Sequence, residues 1–410
     1  MHLQCPVLQL GNINWRMVMN INDPRNQLIL GVDTHLDLHV AVLVNMIGQV
    51  VSTEVFETNK KGYNRLFKWC NSFGQLLKAG IEGTGTYGAG LSRFLVSHNI
   101  SVYEVNRPNR ARRRLRGKSD PTDAENAARA VLADEAKAVP KTQNGSVEAM
   151  RFLLIARRSG IKSRTQAINQ IRAILVTAPD EVRKQYLIAS TSACIEACKN
   201  IETLGDSTLL DSLAISLKLL AKRWLVLTEE LKILDRNLKR LTLTTAPLLT
   251  QELGIDPYVA ATLLVTAGDN PERLKKESSF AALCGVSPVE ASSGKVVRHR
   301  LNRSGSRVAN NAIWTITLIR MRGDPRTQKY VDRRTKEGRS NKEIQRCLKR
   351  YIARELYPKI LNDLTSAASL DIGASMRKLN IFGSLKHDWI FKIHRPTRDH
   401  MAKDVAAYIR

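Results

Sequence analysis

Short apolar runs separated by turns occupy the chain from residue 27 to residue 105. Runs that end at Val32, span residues 40–44 and span residues 50–56 predict three consecutive strands, the last two forming a hairpin. Strands that come first and then alternate with helices predict an α/β domain with a mixed sheet covered by helices. The later elements of this domain are a helix at 62–73, a strand at 76–81, a helix after Gly88 and a strand at 100–105.

The second half of the chain has helical periodicity. Residues 145–178 predict a long basic helix that Pro179 ends. Farther on, apolar residues alternate spacings of four and three over about four heptads, which is typical of a coiled-coil seam. We favour a contact between protomers, because the stretch is long, unbroken and charged on its other faces; the alternative is a core helix packed within one chain. The seam consists of Leu213, Leu217, Leu220, Trp224, Leu227, Leu231, Leu234, Leu238 and Leu241.

Two short helical pieces around Asp256 and Pro257 predict a unit like a helix-hairpin-helix, whose main-chain amides would contact backbone phosphates. The predicted organisation is therefore an N-terminal extension (1–26), the α/β domain (27–140), a helical and coiled-coil region (141–246), a mostly α-helical C-terminal domain (247–360) and a basic tail (361–410).

The charge of the chain indicates a polyanionic partner. Lys and Arg total 64 against 38 Asp and Glu, which gives a formal net charge of +26, and residues 295–354 hold 18 of these cations against four acids. Nucleic acid is the first candidate and a membrane surface is the alternative. The sequence has no apolar run long enough to span a bilayer and no signal-like segment, so we expect a cytoplasmic, nucleoid-associated protein. Six scattered cysteines without CxxC pairs argue against a disulfide framework or a zinc ribbon.

The segment LILGVDTHLDLHVAVLV, residues 28–44, has an acid or a histidine at every second position from Asp33 to His39. Alternate residues share one face of a strand, so a zinc site is one interpretation. The other makes Asp33 the first member of an acid cluster. His35 falls just past the strand end and His39 along the returning strand, so we expect these histidines to make local hydrogen bonds or groove contacts. We expect Asp37 to point along the hairpin.

Three further acids complete the predicted cluster. Glu82 ends a later strand in AGIEGTGTYGAGL, and KSDPTDAENAARAVL predicts a helix with Asp120 as its N-cap and Asp123 three residues later. Such a set suits two Mg²⁺ ions, which prefer oxygen ligands and stabilise attacking and leaving oxygens in phosphoryl transfer. The alternatives are simple helix capping for the two aspartates and a solvated loop acid for Glu82.

The motifs GVDTH, IEGTGTYG and KSDPTDA resemble those of the insertion-sequence 110 (IS110) family of bacterial transposases, and so does FAALCGVSPVEASSGKVVRHRLNRSGSRVANNAI farther on. The resemblance runs from about residue 28 to about residue 355. It implies an N-terminal RNase H/RuvC-like domain with Asp33, Glu82, Asp120 and Asp123 as its DEDD metal ligands. It also implies a C-terminal transposase domain with Ser293 as the nucleophile; the adjacent Ser292 leaves a one-residue ambiguity. Leu36 stands where family members commonly carry Lys.

The resemblance further implies DNA strand cleavage and rejoining in transposition, a dimer or tetramer as the working unit, and a noncoding bridge RNA that pairs with both DNAs. The protein would then read backbone and shape through its basic segments; a solvated basic face is the plainer interpretation. The expected nucleic-acid contacts are Arg107, Arg110, Arg112, Arg113, Arg114, Lys118, Lys295, Arg298, Arg300, Arg303 and Arg307.

Two other functions fit the same residues. A RuvC-like Mg²⁺-dependent nuclease or junction resolvase would use water as the nucleophile and would not need Ser293. An inactive relative would bind nucleic acid without cutting it.

Overall fold

The structure is a computed structural model that describes residues 23–105, 119–294, 299–300 and 302–384, with side chains described up to residue 368 except at 299. The chain divides into two compact units, one up to Lys141 and one from Thr142. Each unit is described by itself.

A five-stranded mixed sheet forms the centre of the first unit. Its strands are β1 (Gln27–Thr34), β2 (Leu38–Asn45), β3 (Val50–Glu57), β4 (Gln75–Glu82) and β5 (Ser101–Val105), in the order β3-β2-β1-β4-β5. The first three are antiparallel, whereas β1, β4 and β5 run parallel. This confirms the predicted mixed sheet, and it brings the carboxyl ends of the parallel strands to one edge.

Helices cover both faces of this sheet. Helices α1 (Lys60–Phe73) and α2 (Ala89–Ser97) pack on one face, where Leu28, Leu30 and Val32 of β1 are buried. Helix α3 (Asp120–Leu132) packs on the other face against Ile29. Because strand residues alternate in direction, the odd-numbered positions of β1 face α3, and Asp33 is one of them.

Two glycines allow α3 to lie unusually close to the sheet. A Cβ atom on Gly31 would lie 2.0 Å from the carbonyl oxygen of Ala124, and one on Gly80 would lie 2.6 Å from that of Ala127. No other residue type fits at that separation. The close approach fixes the position of the start of α3 relative to the end of β1.

The second unit begins with a pair of long helices. Helices α4 (Ser146–Thr177) and α7 (Thr208–Thr245) pack antiparallel, with α5 (Asp180–Tyr186) and α6 (Thr191–Lys199) between them in sequence. Leu231 of α7 lies against Gly160 of α4, and Asp235 pairs with Arg157 at 2.5 Å.

The predicted seam on α7 therefore has a partner within its own chain. Leu217 and Leu238, two of its positions, are buried in cores that α4 shares, and Leu231, a third, is buried beside Gly160 of α4. This supports the alternative of a core helix for the seam. The heptad pattern is the same for a partner within the chain and for one in another chain, so periodicity did not distinguish them.

The rest of the second unit is mostly helical. The helix α9 (Pro257–Ala267) is almost wholly buried at its centre. Around α9 the second unit contains α8 (Pro247–Thr250), a 3₁₀ turn (Pro271–Arg273) and α10 (Glu277–Leu283). A short hairpin of β6 (Val289–Glu290) and β7 (His299–Arg300) follows, and then the helices α11 (Arg307–Gly323), α12 (Pro325–Lys336) and α13 (Asn341–Ser384). Within the described part of the chain, none of the helices is long and apolar enough to cross a membrane.

Carboxylates accept hydrogen bonds from main-chain amides at the starts of α8 and α9. The buried Asp363 accepts hydrogen bonds from the Leu248 and Leu249 amides at 3.1 and 2.9 Å. Asp256 accepts from the Val259 amide at 2.7 Å. Helical pieces are present in this part of the chain as expected, and α9 contributes to the core of the unit. The phosphate contact stays a prediction.

Candidate active site

The first two predicted acids lie at the carboxyl ends of neighbouring parallel strands. Val32 of β1 pairs with Ile81 of β4, so Asp33 and Glu82 are the next residues along each strand. The Thr34 hydroxyl donates a hydrogen bond of 2.8 Å to the carbonyl oxygen of Glu82, which ties the two strand ends together. The sheet itself thus sets the spacing of these two positions.

The other two acids lie in the first turn of α3, but the helix starts one residue earlier than the sequence predicts. Ser119 has extended backbone angles and is the N-cap, so Asp120 is the first helical residue and Pro121 the second. The Asp123 amide donates to the Ser119 carbonyl at 3.0 Å. The predicted capping role of Asp120 is therefore wrong, because its backbone is already helical.

His35 links Asp33 and Asp120. Its Nε2 atom lies 3.4 Å from Oδ2 of Asp33 and 3.3 Å from Oδ2 of Asp120. One atom from each of the three side chains fits within 4.8 Å, an arrangement that is able to hold a metal ion. From the sequence we expected His35 to make only local hydrogen bonds or groove contacts. Its position two residues after Asp33, in the turn that follows β1, was the one indication that it would join the acid cluster.

The electrostatics of this cluster favour a cation. The Asp33 side chain is only 12% exposed. Burial raises the pKa of Asp33, the neighbouring Asp120 and Asp123 raise it further, and His35 opposes this rise. Asp123 is itself buried, at 4% exposure. Carboxylates gathered in a partly buried place repel one another unless a cation lies among them, so the donor set fits a divalent metal ion with oxygen preference.

The remaining members of the alternating pattern lie elsewhere. The His39 side chain is fully buried and stacks on Tyr63 with ring centroids 5.9 Å apart. Asp37 is exposed in the turn between β1 and β2, and its carbonyl accepts from the Thr58 amide at 2.9 Å. The turn at residues 35–37 separates β1 from β2, so the four side chains do not share one face and do not form a single four-ligand zinc site.

Ser293 belongs to the second unit. It is exposed just beyond β6, and Gly294 after it has a φ of 55°, in the left-handed region that favours glycine. Among the described residues, none would lie within 4 Å of a Cβ at Gly294. Ser293 thus lies on an exposed turn. Ser292 is exposed beside it.

Three of the predicted nucleic-acid contacts are described, namely Arg300, Arg303 and Arg307, and all three are exposed. Lys295 and Arg298 lie outside the described residues, as do Arg107, Arg110, Arg112, Arg113, Arg114 and Lys118.

Comparison with known families gives two matches. The DEDD domain of IS110 transposases, described as a transposase, matches residues 30–178. The transposase IS116/IS110/IS902 family matches residues 246–332. No curated protein matches the chain. The first match includes all four acids and the second includes Ser293. The chain therefore belongs to the IS110 family of transposases, which are DNA-processing enzymes.

Proposed function

We propose that this transposase cuts and rejoins DNA strands during insertion-sequence transposition by a serine transesterification that Mg²⁺ assists, guided by a bridge RNA. The observation that carries the proposal is the convergence of Asp33, His35 and Asp120 at the edge of the sheet, inside the part of the chain that matches the DEDD domain.

The acids of the first unit would hold the metal. Asp33 and Asp120 offer carboxylate oxygens, with Asp123 in the same helical turn as Asp120 and Glu82 on the neighbouring strand end. A bound Mg²⁺ supplies charge stabilisation to the oxygens of the phosphate that is cut. His35 keeps Asp33 and Asp120 close together through its two contacts. The rigid strand ends and the close packing of α3 keep the donors in place.

The serine would supply the nucleophile. The Ser293 hydroxyl loses its proton as its oxygen bonds to phosphorus, and the bond to the 3′ oxygen breaks, so that this oxygen leaves and takes up a proton. One phosphodiester is exchanged for another, so rejoining needs no further energy source. The exposed turn at Ser293 and Gly294 suits this role, because a buried hydroxyl would not reach a DNA phosphate.

The proposed partners are DNA, the bridge RNA and further copies of the chain. The net charge of +26 and the exposed Arg300, Arg303 and Arg307 support contacts with nucleic-acid backbones. An apolar row on the outer face of α7, consisting of Leu219, Val226 and Ile233, supports a homo-oligomer, since its members are 52 to 61% exposed and recur every seventh residue. In such an assembly the serine of one protomer would act at the acid cluster of another.

A cleavage assay tests this proposal. Purified protein, flanking noncoding RNA and labelled junction DNA are incubated with Mg²⁺ or with EDTA, for the wild type, Asp33→Asn, Asp120→Asn and Ser293→Ala. We expect cleavage in the wild type with Mg²⁺ only, and a loss of at least about a hundredfold in each variant.

The other outcomes identify the other functions. Cleavage that persists in Ser293→Ala but is lost in Asp33→Asn would mean a hydrolytic nuclease. Binding without cleavage under every condition, including Mg²⁺ and RNA, would mean an inactive relative. Asp37→Asn is the matched control, because Asp37 is an exposed aspartate in the adjoining turn and should leave cleavage unchanged.

A further inference from the structure

A pocket of about 810 Å³ lies in the second unit. One wall is the segment 285–288, which precedes β6, together with Arg300 of β7. The opposite wall is formed by the end of α12, the loop at Arg339 and the first turns of α13. Its volume is in the range of sites that hold one small ligand.

The walls of the pocket carry more positive than negative charge. Three of its arginines have carboxylate partners: Arg334 pairs with Glu337, Arg339 with Glu343 and Arg350 with Glu277. Arg300, Lys349 and Arg354 form no salt bridge among the described residues, and Arg346 interacts electrostatically with Glu343 without forming one. The described lining residues thus include one carboxylate, Glu343, against seven cations, a balance that favours an anion.

Lys349 is the most unusual of these cations. It is only 9% exposed, and its Nζ atom donates to the neutral Oδ1 of Asn310 at 2.9 Å. The Asn310 amide donates in turn to the carbonyl oxygen of Gly285 at 2.9 Å, so the side chain that holds the lysine is fixed. Burial lowers the pKa of Lys349, and Arg346 lowers it further. An ammonium buried without a counter-ion is costly, and an anion in the pocket would offset that cost.

An aromatic ring lies beside these cations. Tyr351 lines the pocket with 49% of its surface exposed, and its ring meets Tyr330 edge-on with centroids 5.7 Å apart. Tyr330 contacts the ring, while about half of the surface of Tyr351 stays accessible. Exposed aromatic rings among basic side chains are where unpaired bases stack, whereas a duplex keeps its bases inside.

We propose that this pocket binds one unpaired nucleotide of a single-stranded nucleic acid, with its phosphate at Lys349 and Arg346 and its base on Tyr351. The inference rests on the proposed function and deepens it, because strand exchange and RNA pairing both expose single-stranded segments. The shared chemistry is a phosphate next to an unstacked base, in DNA or in RNA.

Fluorescence anisotropy on the full chain tests nucleic-acid binding by the pocket under conditions in which strand cleavage is prevented. The protein carries Ser293→Ala, the buffer contains EDTA, and the probes are labelled oligothymidylate and oligouridylate of about twelve nucleotides and a duplex of the same length. We expect Tyr351→Ala to weaken single-strand binding about tenfold and to leave duplex binding unchanged, whereas Tyr351→Phe keeps the ring and the affinity. The two single-stranded probes show whether DNA or RNA is the better ligand.

The phosphate contact has its own variants. Arg346→Gln should weaken single-strand binding and reduce its salt dependence by about one counterion, and Lys349→Met should weaken it further. Arg346 is exposed, so its replacement does not threaten the fold. The matched controls are Arg326→Gln and Lys329→Gln, exposed cations of α12 that do not line the pocket.

Equal single-strand affinity in the parent protein, Tyr351→Ala and Arg346→Gln would contradict nucleotide binding in this pocket. Losses of affinity in the α12 controls equal to those in the pocket variants would contradict it as well. An absence of single-strand binding in the parent protein would overturn it as well. None of these results bears on the metal or the serine, which the cleavage assay tests with Ser293 in place.

Discussion

Two histidines four residues apart have opposite environments. The His35 imidazole is half exposed and lies between two carboxylates, which offset any positive charge on it. The His39 imidazole is fully buried against Tyr63, and neither of its ring nitrogens has a hydrogen-bond partner among the described residues. Burial lowers the pKa of His39 from 6.5 to about 4. The different roles of His35 and His39 therefore follow from their positions, in the turn after β1 and on β2, and not from the residue type.

This burial makes the first unit sensitive to acid. Below pH 6.5 the unfolded chain binds a proton at His39, while the folded chain stays neutral there until about pH 4. The stability that the neutral imidazole provides is therefore complete well above pH 6.5 and falls as the pH is lowered toward 4. We expect the wild type to lose about 2 kcal/mol more than His39→Leu between about pH 7.5 and about pH 5, measured by urea unfolding.

The comparison above pH 7.5 is the internal control, since the imidazole is neutral there in both states. Equal pH dependence of the wild type and His39→Leu would contradict the buried, neutral histidine.

At the scale of elements, the position of α3 matters more than its sequence. Its first turn carries Asp120 and Asp123, and the glycines under it set how near these acids come to Asp33. A Cβ at residue 31 would overlap the Ala124 carbonyl, so the helix must shift. The geometry of the acid cluster thus depends on glycines that have no functional group of their own.

Gly31→Ala tests this dependence. We expect it to destabilise the protein by about 3 kcal/mol and to reduce Mg²⁺-dependent cleavage in the fraction that stays folded, because the acids of α3 move away from Asp33. Gly323→Ala is the matched control, since a Cβ at that helical position meets nothing within 4 Å and should change stability by less than about 1 kcal/mol. Thermal unfolding and the cleavage assay measure both. A stable, fully active Gly31→Ala protein would refute this explanation.

The elements themselves were largely predictable. Apolar runs bounded by turns gave the strands of the mixed sheet, and Pro179 marked the end of α4 within two residues. Periodicity did not identify what each helix face packs against: the seam of α7 packs on α4, and α9 is largely buried in the core of the second unit. The contact of His35 with Asp120 was also not predictable from the sequence, because it joins a turn to a helix that begins 85 residues later.

At the scale of the whole molecule, the charge and the exposed row on α7 concern partners. The row of Leu219, Val226 and Ile233 leaves apolar surface in water along a long helix. Val226→Glu places a charge in the middle of this row, so we expect light scattering to show a smaller assembly than for the wild type. Leu243→Glu is the control, because Leu243 is an exposed apolar residue of the same helix outside the row. An unchanged mass in Val226→Glu would contradict the proposed contact.

Mass spectrometry of the covalent protein–DNA product is the most direct test of Ser293 as the nucleophile. Wild-type protein is incubated with Mg²⁺, noncoding RNA and junction DNA, then digested with nuclease and trypsin, and the peptide of residues 277–295 is fragmented. We expect a nucleotide attached through phosphate to Ser293, absent from the Asp33→Asn and Ser293→Ala reactions. DNA cut in the wild-type reaction with no modified peptide, or a phosphate bond at Ser292, would contradict the assignment of Ser293 as the nucleophile.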